Sequence, residues 1–476
     1  MKFNRIIYSI TAFLIPLLLV CAGVCAVYSL YQGVGLDIKV QQRIPGQDNK
    51  PKSETADTAA DITGSLEVFD EDASDLPGAW PGFRGPDLDN ISKESVKLSS
   101  KWPDNGPKII WSCAVGEGFA GASVLHGRVY VMDYDREKQA DVLRCMSLDN
   151  GHDIWRYSYP VKIKRWHGMS RTVPAVTDKY VVGIGPKCHV TCLDSVTGRF
   201  LWNIDLVHKY QTKIPQWYTS QCPLIDKDRV IIAPAGKSCL MMAVNCADGK
   251  VIWQTPNPDN WVMTHSSIVP VDFKGRRFYV YCGGSTSSGG VVGVSADTGK
   301  IAWYTDKWKV RTNVPVPVRI GEDRMFVSAG YAQRKYGCAM LRLTETNSSI
   351  NIEPDFIYSS SVFGTMQQSP IFYKGYIYGV NMDKQLVCLD LQGKVVWNST
   401  SVHKFGFGPF LIADDKLYIL DDNGLLSMLD ISADGFKILS QFEVFKDGVD
   451  CWGPMAIVSG RLILRDLTRM VCLDLK

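Results

Sequence analysis

The chain has 476 residues, 46% of them apolar and 21% charged, which is enough nonpolar side chain for a large buried core. Its net charge of +3 is too small to give a specific reason to invoke a nucleic-acid or other polyanionic partner. The 41 glycines and 20 tyrosines suit an all-β chain rich in turns.

At the N-terminus, Ile6 to Val34 is an almost uninterrupted apolar run preceded by Lys2 and Arg5. It is long enough to span a bilayer and is oriented by the positive-inside rule. The expectation is an uncleaved signal anchor, one transmembrane helix within residues 1–35, with the rest of the chain on the non-cytoplasmic side. A signal peptide cleaved near Val24-Cys25-Ala26 is the alternative, and a lipoprotein start at Cys21 or Cys25 a third, disfavoured by Val20 and Val24. Residues 36–78 turn polar and then acidic, through Glu54, Asp57, Asp61, Glu67, Asp70, Glu71, Asp72 and Asp75. So little apolar surface cannot offset the entropy of ordering, and a flexible acidic linker is expected. A lead-in segment over 79–107 follows, expected to pack on the domain formed by 108–476.

From there the chain repeats itself. Leu193-Asp194-Ser195-Val196-Thr197-Gly198-Arg199-Phe200-Leu201-Trp202 has degraded copies ending at Trp155, Trp253, Trp303 and Trp397. Each reads as a hairpin: an apolar strand, an Asp/Asn/Thr-Gly turn supplying positive φ, and a strand carrying Trp at a fixed place. Two further strands fit between copies, giving four strands per unit of about 45 residues, the signature of a β-propeller blade. Adding Trp111 and two units without the marker, near Asn351 to Ile357 and Lys437 to Phe442, makes eight outer strands. The chain ends on a third strand, Val471 to Lys476, while Ile109-Ile110-Trp111-Ser112 is a fourth strand with nothing before it. The fold class expected is therefore all-β: an eight-bladed propeller of four-stranded antiparallel blades, closed by the N-terminal strand so that no sheet edge is left open.

Fourteen cysteines in an exported chain would ordinarily suggest disulfides. Cys192, Cys388 and Cys472, however, occupy a repeat position that elsewhere holds Ser147, Ala243 or Gly293, which marks tight packing. Most thiols are expected free and buried, with Cys188–Cys192 or Cys239–Cys246 as conceivable cross-hairpin pairs.

The repeats resemble those of the PQQ-like β-propellers, whose units end in a Thr-Gly-Lys-x-x-Trp type motif, and Trp80-Pro81-Gly82-Phe83-Arg84-Gly85-Pro86 is similar to the lead-in of envelope-anchored bacterial members. The resemblance implies the fold and leaves function open. The family includes dehydrogenases dependent on pyrroloquinoline quinone (PQQ) and BamB-like proteins that bind partners without a cofactor. The enzyme branch would call for an adjacent Cys-Cys pair, calcium ligands and an Asp base, and no Cys-Cys occurs here. No cofactor and no metal are expected.

Propeller ligands usually sit at the channel mouth, on loops that join the outer strand of one blade to the inner strand of the next. Those loops carry Arg165, Trp166, His167, Arg171, Trp217, Tyr218, Gln221, His265, Arg311, Asn313, Gln367, Gln368, Phe407 and Trp452, most followed within a few residues by a proline. Registered on those prolines, Arg171, Gln221, His265, Arg311, Gln367, Phe407 and Trp452 should ring the entrance. Aromatic, amide and guanidinium groups around one concavity suit a carboxylate, a sugar or a peptide segment.

Other patterns lead nowhere specific. Gly116 to Gly121 spells a dinucleotide fingerprint but precedes a strand. Asp133 to Glu137 starts like a calcium loop but has Lys138 where glycine is needed, and the histidines lack metal-ligand spacing. The basic run Lys162 to Arg171 suits a channel rim, or a contact for acidic partners such as the anionic envelope surface, better than a nucleic-acid patch. The reading is a monomeric, membrane-tethered, non-catalytic binding or scaffold protein of the cell envelope, with a protein, peptide or glycan partner at the channel mouth, membrane contact through residues 6–34 and no nucleic acid. A divergent PQQ-dependent oxidoreductase is the alternative.

Overall fold

The computed structural model describes residues 20–24, 28, 62–331, 335–347 and 349–476. The chain divides into a unit ending at Thr58 and another running from Ala59 to Lys476. In the first, residues 20–24 and 28 are helical. No helix among the described residues is long and apolar enough to cross a membrane, and most of the expected anchor, Ile6 to Val34, lies outside them.

The second unit is a ring of eight antiparallel sheets in sequence order. Three strands precede the first blade: β1 (Ser65–Val68), β2 (Ala79–Trp80) and β3 (Lys108–Ala114). The first blade is built from β4 (Ala122–Leu125), β5 (Arg128–Asp135), β6 (Ala140–Ser147) and β7 (Asp153–Pro160), and six more four-stranded blades follow. The eighth holds the chain's last three strands, Ala456–Val458, Arg461–Arg465 and Arg469–Asp474, and takes β3 as its outer strand, pairing Lys108 with Asp474 through to Ala114 with Arg469. The ring closes as the unpaired strand ends predicted.

The Trp–Gly repeat is a docking device between neighbours. Four of the marker Trp residues lie against the turn glycine of the next blade, and their indole N–H donates to a carbonyl there: Trp111 to Leu148 (2.9 Å), Trp155 to Val196 (3.1 Å), Trp202 to Cys246 (2.7 Å) and Trp253 to Ala296 (3.1 Å). Gly249 shows why the turn requires glycine. Its φ is 66°, and a Cβ would come within 2.8 Å of the Trp202 ring. Where the fifth blade lacks Trp, Phe356 and Tyr358 press on Gly393 of the sixth. Trp111 does for blades eight and one what the other tryptophans do around the ring.

Every described cysteine is a free thiol, so neither hairpin pairing considered for Cys188–Cys192 or Cys239–Cys246 is present. Apart from the exposed Cys21 and the half-buried Cys113 these thiols are buried in the propeller, and burial raises Cys188, Cys239 and Cys246 to about 12.

Two segments before the ring differ from what composition suggested. From Ile62 the presumed linker is ordered along the outer edge of blade one. β1 pairs with β7 (Ser65 with Ser158, Val68 with Trp155), Ile62 is buried, and the Gly64 N–H donates to the Tyr157 hydroxyl at 2.7 Å. Two of its acids have partners on that blade: Glu67 meets Lys138 at 3.2 Å, and Glu71 accepts from Asn150 at 3.0 Å.

The lead-in does more than pack on the outside. β2 adds to the inner edge of blade one through Ala79–Leu125 and Trp80–Val124, and the Pro81 carbonyl accepts from Val176 of blade two at 2.8 Å. Arg84 then reaches the opposite side of the ring. Its buried guanidinium donates to the Ser369 and Pro370 carbonyls at the start of blade six (3.3 and 3.1 Å) and to its own segment at Leu88 and Asp89 (2.8 and 3.3 Å). Ile91 bridges Ile412 of blade seven before the chain leaves for β3. Blades two and six face one another in an eight-fold ring, so residues 81–91 form a strap across the central channel.

Candidate functional site

Above the strap the channel is a cup of about 340 Å³, within the size range of small-ligand sites. Its floor includes Phe83 of the strap, and its wall carries Phe119, His167, Arg171, Trp217, His265, Tyr331, Met366, Gln367, Gln368, Phe407 and Trp452. The loops hold these side chains at one level because each leads into an inner strand at a fixed register: Pro174, Pro223, Pro370 and Pro409 immediately precede Ala175, Leu224, Ile371 and Phe410. Small polar side chains stitch neighbouring loops together, the Cys222 N–H donating to Ser267 Oγ (2.9 Å) and the Val316 N–H to Ser369 Oγ (2.9 Å). The cup is thus held by the blade framework.

Two aromatic clusters face each other across it. Phe119 stacks on Trp452 (centroids 5.3 Å apart), with His167 5.1 Å from Trp452. Trp217 stacks on His265 (6.0 Å) and meets Tyr331 (5.8 Å), whose hydroxyl donates to Gln367 Oε1 at 3.0 Å. The Trp452 indole is fixed by Asp422 (2.7 Å), itself paired with Lys384 (2.7 Å), and Gln368 is fixed by the Trp452 carbonyl (2.9 Å).

Arg171 sets the electrostatics. Its guanidinium lies 4.8 Å above the Phe119 ring and donates to the His167 carbonyl, while its Nε is buried without a partner. Among the described residues it makes no ion pair with a carboxylate, and no Asp or Glu lines the cup, the Asp450 carboxylate lying 3.9 Å behind the His167 ring. Burial lowers Arg171 to about 10, so it stays charged at neutral pH, and burial together with that charge pushes His265 down to about 4. His265 is therefore neutral, with Nδ1 3.1 Å from Ser220 Oγ. The cup carries one uncompensated positive charge in aromatic walls.

Of the expected residues, His167, Arg171, Trp217, His265, Gln367, Gln368, Phe407 and Trp452 line the cup. Gln221 does not: fully buried, it turns back to bond the Ala233 carbonyl (3.2 Å) and N–H (2.9 Å). Asn313 is buried and donates to Val310 at 3.2 Å. Arg311 is exposed away from the cup, Arg165 pairs with Glu117 at 2.8 Å on the rim, and Tyr218 braces the rim at the Lys164 backbone. Trp166 stands on that rim 59% exposed. Sequence reasoning missed Phe83, Phe119 and Tyr331. The Pro-Gly-Phe-Arg-Gly run in the lead-in was the only signal for the first.

Comparison with known proteins agrees with this architecture. A family model described as outer membrane protein assembly factor BamB matches residues 138–392. No curated protein matches the chain. Among solved structures, a europium-containing methanol dehydrogenase shares 14% identity over 83% of this chain and 89% of its own, with a TM-score of 0.59. Quinohemoprotein alcohol dehydrogenase from Comamonas testosteroni shares 12% over 85% and 81%, TM-score 0.58. BamB from Moraxella catarrhalis shares 13% over 79% and 99%, TM-score 0.49. At these identities the two dehydrogenase likenesses speak to the fold alone. The family match spans more than half of the chain, which belongs to the BamB-type family of PQQ-like β-propellers.

Proposed function

We propose that this chain is a non-catalytic binding scaffold of the cell envelope, tethered through residues 6–34 with its propeller on the non-cytoplasmic side, and that it engages its partner with the upper face. The observation that carries this reading is the cup itself: a framework-held aromatic concavity, closed below by the strap and rimmed by the exposed Trp166. Rigid aromatic side chains with partly exposed faces are what interface anchors are made of.

An oxidoreductase is favoured by the dehydrogenase likenesses of the fold and opposed by the donor set. A quinone held with a calcium ion needs clustered oxygen ligands. No Asp or Glu lines the cup, and among the described residues no group of three or more His, Cys, Asp or Glu could hold a metal. The residues present do not fit that pair.

A photo-crosslinking amino acid placed at Trp166 should trap an envelope protein in cells, whereas the same probe at Tyr304, exposed on the outer strand of blade four, should not. With the probe moved to the neighbouring exposed Lys164, Trp166→Ala should lower capture about ten-fold, as loss of an aromatic hot spot does. Equal trapping at both positions, or none at Trp166, would remove the upper face as the binding surface.

A further inference from the structure

We infer that the cup recognises an organic carboxylate borne on an aromatic or apolar body, with Arg171 as its counter-ion. The inference rests on the upper cup being the binding site and adds the chemistry of what enters it. Of the five N–H donors of a guanidinium, Arg171 gives one nitrogen to the His167 carbonyl and leaves Nε buried and unmatched. A guanidinium taken largely out of water without a carboxylate partner carries a desolvation cost that a ligand carboxylate at its cup-facing donors would offset. The cation–π contact with Phe119 and the bond to the His167 carbonyl hold the guanidinium in place, so a carboxylate can be met without first ordering the side chain.

The surroundings select for the rest of the ligand. His265 is neutral and adds no second charge, and Lys384 is already paired with Asp422. One positive charge faces walls of Trp217, Tyr331, Phe407 and Trp452. A monocarboxylate with a ring or branched chain matches this, whereas a highly charged anion such as a phosphate would leave charge against aromatic faces. Such a group can be a free acid or the C-terminal carboxylate of a chain.

The test uses the full protein and two matched pairs of probes: 3-phenylpropionate against 3-phenylpropionamide, and an acetylated tripeptide ending in Phe as the free acid against its amide. Binding is read by calorimetry and tryptophan fluorescence. The acids should bind at least ten-fold more tightly than the amides, Arg171→Gln should abolish that difference, and Arg171→Lys should keep part of it. Preference for the acid in the small pair alone assigns a free metabolite-like acid, and in the peptide pair a chain terminus. Equal binding of acid and amide in both pairs, or no binding of any probe, overturns the inference. The acid–amide comparison on the unaltered protein decides even if Arg171→Gln fails to fold. Trapping at Trp166 in the face of such a negative result would leave the scaffold reading standing while the carboxylate falls.

Discussion

A chain that begins at Val115, lacking β3, should not yield a soluble monomeric propeller. β3 supplies the outer strand of blade eight, so its loss bares the edge of the last strand, Arg469–Asp474, whose Met470, Val471, Cys472 and Leu473 are buried in the closed ring. Exposed edges of that kind recruit other chains. It also removes Trp111, which is 5% exposed and seals blade eight to blade one by stacking on Gly151 and donating to Leu148. The point change Trp111→Ala isolates this second effect and should cost about 3–5 kcal/mol, the usual range for truncating a buried aromatic. Denaturant unfolding followed by circular dichroism measures it. A truncated chain that melts where the intact protein does would refute closure by β3.

Arg144→Ala should be nearly as damaging, and its effect should depend on pH. Arg144 is 7% exposed between two carboxylates that are 10% and 8% exposed: Asp133 at 3.2 Å and Asp153 at 2.8 Å. Removing the guanidinium leaves Asp133 with backbone N–H donors and Asp153 with Arg156 alone, which costs up to about 3–5 kcal/mol for a broken buried pair. Burial alone would raise Asp153, but hydrogen bonds from Arg156 and Arg144 outweigh it and hold the carboxyl below its ordinary value. A depressed carboxyl contributes stability above its unfolded pKa of about 4, and that contribution fades as pH falls through the lower folded value. Without Arg144 the carboxyl rises, and protonating it relieves the variant. The stability gap between the two proteins should therefore narrow from pH 7 to pH 4.5 in parallel urea titrations. A gap that is constant or widens would show that the ion pair is not its source.

The architecture was legible because its cause is local and repeated. The turn glycines at 151, 198, 249 and 299 and the Trp one blade earlier are two halves of one contact, so the recurring marker with the two units that lack it states the blade count, and the two unpaired strand ends state the closure. The same periodicity set the register of the mouth loops and brought Arg171, His265, Gln367, Phe407 and Trp452 to the cup. It failed at Gln221 and Arg311 because register fixes where a Cα sits and not which way a side chain turns. Gln221 found unsatisfied backbone at Ala233, and Arg311 found solvent. The strap lies outside the repeat, so nothing periodic announced that Phe83 would floor the site. The acidic stretch before it was misjudged for a related reason. Average composition hid one apolar anchor, Ile62, and acids whose partners lie on blade one.

The most direct test of the central claim is equilibrium dialysis of the purified protein against PQQ with and without calcium. A scaffold whose cup holds one guanidinium and no carboxylates should show no calcium-dependent uptake, and any weak retention of this carboxylate-bearing compound should disappear in Arg171→Gln. Saturable one-to-one binding that requires calcium would contradict the account and make this propeller a quinoprotein.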